Sequence, residues 1–238
     1  SGLTRITGAI SSGVQTNYGI TKTGAGTFRF GTSVLGFARA AIINDGTLDL
    51  NGLTYNVNAL TLGGAASTLG ARLVTGSGSL ALGGTLTFTA AASQAGAGIT
   101  GNLALGAASR SFVIGDNTNL PVDLTISGPI GGSAGAAIAK SGSGTLRFSG
   151  AGNTQPGLVT VSGGVLELAK SSGDAIGSGG LSVINNGSVI RLVSGEQVNN
   201  SAAVAIDDSG FLELADFTET TGPVTFTQTS SSQCGAIR

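Results

Sequence analysis

The chain has 238 residues, 42 of them Gly, with 10% charged residues and a formal net charge of −1. It contains no His, no Met, no Trp and a single Cys. That excludes a Ser-His-Asp triad, a Cys-His dyad, an imidazole metal site, a thiolate zinc cluster and an intrachain disulfide. The near-zero charge gives no electrostatic footprint for nucleic acid or an anionic membrane, and no run of about eighteen apolar residues is present to span a bilayer.

Gly-rich chains are often flexible, but disorder needs a shortage of apolar residues, and 40% of this chain is hydrophobic. The apolar residues recur at fixed positions. In chain order, one pattern of Gly, a small or β-branched residue, then apolar–any–apolar appears as Gly26–Phe30, Gly46–Leu50, Gly78–Leu82, Gly84–Phe88, Gly101–Leu105, Gly144–Phe148, Gly164–Leu168 and Gly210–Leu214, with a longer variant at Gly187–Leu192. The alternation has period two, which predicts strands. Several copies follow another short strand and a turn, as in Ile42-Ile43 before Asn44-Asp45-Gly46 and Val159-Thr160-Val161 before Ser162-Gly163-Gly164. The copies recur every 20 to 23 residues at the clearest places, such as Gly26 to Gly46 and Gly164 to Gly187. A period in the twenties is one coil of a parallel β-helix. The expected fold is therefore all-β: a single-stranded β-solenoid of about ten or eleven coils. The usual crossover rule makes it right-handed.

Stacking the coils places the "any" residue of each motif on the outside. Arg29 is then followed by Asp49, and further on Arg147 by Glu167, Arg191 and Glu213. Signs alternate, as they should when side chains face each other one rung apart. Arg147 and Glu167 are expected to be close neighbours. Inside, Phe28 lies over Leu48, Phe30 over Leu50, and Phe148, Leu168, Leu192 and Leu214 form one ladder. A longer repeat is superimposed: Lys22–Phe30 resembles Lys140–Phe148, and Ile43–Leu50 resembles Val161–Leu168, both at a shift of 118. The whole of 1–238 reads as one continuous solenoid of two super-repeats, about 1–118 and 119–238.

These residues resemble the autotransporter-associated β-strand repeat, also called the passenger-associated transport repeat. Lys140 to Leu168 follows its pattern nearly throughout, with Asn153-Thr154 in the loop and Pro156-Gly157 closing it. Lys22 to Leu50 is a second copy without the Asn-Thr loop. The resemblance implies a right-handed solenoid passenger of a bacterial protein, placed outside the cell or on its surface as a stalk, adhesin or fibre. The chain itself is expected to hold no membrane barrel of the kind that ends an autotransporter, so export and anchoring stay open.

Chemical motifs reduce to turns. Gly131-Gly132-Ser133-Ala134-Gly135 has the spacing of a nucleophile elbow but no His to serve it. Gly96–Gly101 has the dinucleotide spacing without a helix to follow. Lys22 and Lys140, beside Gly-rich turns, read as solvated corner lysines. Asp207, Asp208, Glu213, Asp216 and Arg191 are the candidates for a polysaccharide-cleaving site, but two fall in a predicted corner and Glu213 belongs to the charge column. The expectation is a protein without catalysis and without cofactor or metal. Two uses remain. One is a structural stalk or fibre whose exposed end coils stack end to end or continue a longer parent solenoid. The other is an adhesin taking a surface or glycan ligand on the irregular loops Asn51–Ala59, Ala90–Gly98 or Asp116–Leu120. Cys234 is either a small buried residue near a terminal coil or an intermolecular contact.

Overall fold

The computed structural model describes residues 3–6, 19–31, 39–64, 68–91, 95–185, 187–207, 209–228 and 235–238, the first of these segments in its backbone only. Every strand pairing among them is parallel, and no helix occurs. The chain winds between two sheets. The first carries eleven rungs along its main path, from Leu3–Ile6 to Ala236–Ile237. The second carries ten, from Ile20–Lys22 to Val224–Thr227, and these enclose about nine full turns. Successive rungs alternate between the sheets, so neighbours in a sheet are one coil apart in sequence. This is the expected solenoid.

The period-two pattern explains the core. Leu48, Leu73, Ile99, Ile126, Phe148, Leu168 and Leu192 are successive register partners in the first sheet. Each is at most 2% exposed. Phe28 lies over Leu48, and Leu214 packs against the same core at the last coil. Opposite them, Ala41, Leu60, Leu86, Phe112, Lys140, Val161, Val183 and Ile206 form a second inward column. Fully burying one such large apolar side chain stabilises by about 1.5–3 kcal/mol, repeated at every rung.

The middle coils are longer than the expected 20–23 residues. Leu48 to Leu73, Leu73 to Ile99 and Ile99 to Ile126 are register steps of 25, 26 and 27 residues. The extra length builds a third side. The strands Ala71–Leu82 and Ala97–Ala104 turn a corner at Gly76 (φ 63°) and Gly101 (φ 102°), a backbone that non-glycine residues adopt at a cost. They then pair with Tyr55–Val57 and Ile130–Gly131.

The longer coils have a consequence for the super-repeat. Phe28 and Phe148, 120 residues apart, occupy one column of partners. Ile20 and Lys140 do the same in the second sheet. The sequence repeat, by contrast, has a shift of 118. The second half is thus laid down two residues along the strand from the first. Two is the side-chain period, so inward residues stay inward.

Candidate functional site

The outward charged residues form two ladders rather than one. Arg29 pairs with Asp49 at 2.6 Å on adjacent rungs, and the next positions in that column are Val74, Thr100 and Ser127. Arg147 stands two residues away, in the column of Thr125, Gly98 and Arg72. The single column expected from the motif is broken by the two-residue offset. The second ladder is the longer. Arg147 contacts Glu167 at 2.6 Å, Arg191 reaches back to Glu167 at 3.4 Å and forward to Glu213 at 2.7 Å, and Arg238 closes on Glu213. Burial works to raise the pKa of Glu213. The hydrogen bonds and charges of Arg191 and Arg238 outweigh it and hold the carboxyl below its ordinary range. Arg238 also lies over the Phe211 ring, 4.3 Å from its centroid. Simple surface ion pairs contribute about 0–1 kcal/mol, but the Glu167 side chain is only 7% exposed and shared by two guanidinium groups.

The lysines overturn the solvated-corner reading. Lys140 is fully buried, because it follows Ile138 at period two and so points inward between Phe112 and Val161. Its ammonium donates to the Gly142 carbonyl at 3.2 Å and to the Gly163 carbonyl at 2.6 Å. Lys22 repeats this geometry at the first super-repeat, donating to Gly24 O and Asp45 O. The pairs correspond residue for residue at the shift of 118. The Lys of the motif is therefore a staple that ties the corner of its own coil to the corner of the next. Burial pushes Lys140 down to about 8, against the pull of Asp123. Asp123 is itself buried, accepts from the amides of Asn117 and Thr145, both at 2.7 Å, and is raised chiefly by burial. Lys170 continues the parity of Leu166 and Leu168, points inward, and donates to Gly128 O and Ser149 O at 2.8 and 2.9 Å. Burial lowers it to about 8. Parity alone marks all three lysines.

Other devices also run from coil to coil. Asn153 accepts from the Ile130 amide at 2.9 Å and donates to Ala175 O at 2.7 Å, so one buried side chain clamps three coils. Gln155, beside it and 1% exposed, leaves both amide atoms without a partner among the described residues. The Asp116–Leu120 loop is tied down by Asn117, which donates to Ala91 O. Ser133 of the elbow-like motif donates its hydroxyl to Gly106 O in a turn. Of the sugar-cleaving candidates, Glu213 and Arg191 are committed to the ladder, Asp216 sits in a turn with φ 68°, and Asp208 lies outside the described residues. Cys234 lies outside them too.

Residues 20–50 and 138–168 both match the family model of the passenger-associated-transport-repeat. The chain carries two passenger-associated-transport-repeats. No curated protein and no solved structure matches it. Each repeat spans the strand with the Lys staple, all or most of the three strands after it and the corner the staple reaches. The Arg147–Glu167 pair falls within the second repeat and Arg29–Asp49 within the first.

The final rungs differ from the rest. Val224 and Phe226 continue the inward columns of Val204 and Ile206, yet are 40% and 57% exposed. Ile237 continues that of Leu212 and is 40% exposed. The last layer of the core has nothing upon it among the described residues.

Proposed function

We propose that the chain is a structural rod of the bacterial surface or extracellular space, a passenger-type stalk or fibre segment whose open coil end pairs with a further coil. The observation that supports it most is the continuous parallel pairing of the first sheet from Leu3 to Ile237. Such pairing is a stack of identical rises, and its geometry serves length. Ten rises of about 4.8 Å give a rod about 48 Å long. The clamps described above all join one coil to the next, which resists bending and stretching. Within the Asp116–Leu120 loop, the Asn117 side chain is spent on an internal hydrogen bond to Ala91 O.

Electron microscopy of the purified chain over a concentration series tests the reading. Straight rods of about 50 Å, or filaments built from them, support it. Compact or irregular particles refute it. Capture of a defined glycan, lost when Asp116–Leu120 is replaced by Gly/Ser in a folded chain, would favour the adhesin reading.

A further inference from the structure

We propose that the third side of the middle coils carries a binding groove for an acidic sugar, with Arg110 as the group that receives the carboxylate. The proposal goes beyond the rod reading and does not depend on it.

The groove arises from corner length. The third-side strands run into the second sheet through corners that lengthen from coil to coil. One residue, Asn58, separates Val57 from Ala59. Three residues separate Leu82 from Leu86, and five separate Ala104 from Arg110. The corner at 105–109 therefore overhangs the two before it. Beneath it lies an open groove of about 380 Å³, within the usual size of a ligand site. Its floor is low because Ala81 and Ala104 follow Asn56 in one outward column. Methyl groups stand there where the first sheet presents Arg and Glu.

The overhang is fixed to its neighbours. The Leu105 amide donates to Gly131 O at 2.8 Å, and Gly106 O accepts from the Ser133 amide at 2.9 Å and its hydroxyl at 3.2 Å. Arg110 reaches back across the groove, donating Nε to Leu105 O at 2.9 Å and Nη1 to Gly83 O at 2.6 Å. Two of the five guanidinium N–H groups are thus spent on backbone, and three are left. They meet no carboxylate among the described residues, and residues 50–115 contain no Asp or Glu but two cations, Arg72 and Arg110. An anion bound here displaces no resident partner and gains charge-assisted hydrogen bonds. The guanidinium is already held in place, so little ordering cost remains for binding.

The rest of the lining selects a sugar over a bare carboxylate. Asn56 and Asn58 are exposed on the same groove, and their side-chain amides have no hydrogen-bond partner among the described residues. Each offers donors and an acceptor to hydroxyl groups. The Ala81 and Ala104 methyls offer a flat apolar floor to a ring face. From Asn56 to Ala104 is two rises, about 10 Å, the scale of a disaccharide. A uronic acid sugar uses all three features, whereas a simple carboxylate uses Arg110 alone.

The test titrates the full chain with digalacturonate at low salt and follows the NMR shifts of Asn56, Asn58, Ala81 and the Arg110 Nε–H. Its methyl ester is one comparator, with the shape but not the charge. Acetate is the other, with the charge but not the ring. The expected result is binding of the acid about tenfold tighter than of either comparator, weakening as salt is added. Arg110→Gln should weaken it about tenfold. Because Arg110 also ties two corners, Ala81→Ile is the second variant. It fills the floor, removes no hydrogen-bonding side chain, and should abolish binding in a chain that melts as before. Shifts absent from these residues, an ester that binds as well as the acid, acetate that binds as well as digalacturonate, or binding retained in both variants would each overturn the proposal. None of these outcomes bears on rod shape, which microscopy reads separately.

Discussion

Stability should rise with pH on the alkaline side of neutrality. The chain has only three lysines, Lys22, Lys140 and Lys170, and all three are held below the ordinary value. For Lys140 and Lys170 the folded value is about 8, against 10.5 for the free side chain. Below about 8 both states are protonated, and the folded state bears two ammonium groups in its core at a cost. Between about 8 and 10.5 the unfolded chain holds protons that the folded chain has released, so stability climbs with pH. From pH 7.5 to 9.5 the two pKa values give up to about 2 kcal/mol for each lysine. The upper bound of the window stays below the ionisation of the unfolded tyrosines near pH 10. Urea denaturation at pH 7.5, 8.5 and 9.5 reads the slope. Lys140→Met and Lys170→Met keep the aliphatic stem and should each remove about half of it. A stability that is flat or falls over this range, or a slope unchanged in both variants, would refute the reasoning that these ammonium groups are desolvated by the stack.

Three further outcomes are expected. Gln155→Met should raise stability by about 1–2 kcal/mol at every pH, because it replaces an unsatisfied buried amide with an apolar side chain of similar length; thermal melts check it. Asn153→Ala should cost about 2–4 kcal/mol, leaving the Ile130 amide and the Ala175 carbonyl buried without their partner, with hydrogen exchange rising first at Ile130. Glu167→Gln should weaken the fold more than Asp49→Asn does, since Glu167 serves two guanidinium groups and Asp49 one. Denaturation at low and high salt compares them, and equal losses would deny the ladder any cooperative role.

Much of the fold was legible because a solenoid repeats its local rules. The period-two motif gave the strands, and a spacing in the twenties gave the coil. Arg147 over Glu167 and Phe148 over Leu168 stand where that spacing places them. What was hidden depends on coil length. Three middle coils grow to 25–27 residues to carry a third side, and their excess moves the second half along by two residues. Sequence similarity at 118 cannot register that, because the similar residues remain on the correct face. The buried lysines were legible in principle. Ile138 and Lys140, or Leu168 and Lys170, share a strand face by parity; a charge rule that sends lysine to solvent overrode it. Tertiary context wins there because each ammonium finds two backbone carbonyls inside.

In both repeats the Lys staple occurs together with a corner glycine of left-handed backbone. A lysine on the inward face reaches one carbonyl in the corner of its own coil and one in the corner of the next. Gly142 and Gly163 supply those carbonyls to Lys140, and Gly24 supplies one to Lys22. Gly142 holds φ at 80° and Gly24 at 72°, a left-handed backbone that turns the carbonyl back toward the ammonium. A side chain at such a position would strain the turn that aims the acceptor. The cost of burying the charge is thus tied to closing a joint between successive coils, and a joint of this kind has use only where another coil follows. The same holds for Asn153 and for Glu167. Lys140, Lys170, Asn153 and Glu167 each act along the axis of the stack, tying one coil to another through backbone carbonyls, an amide or a shared guanidinium pair.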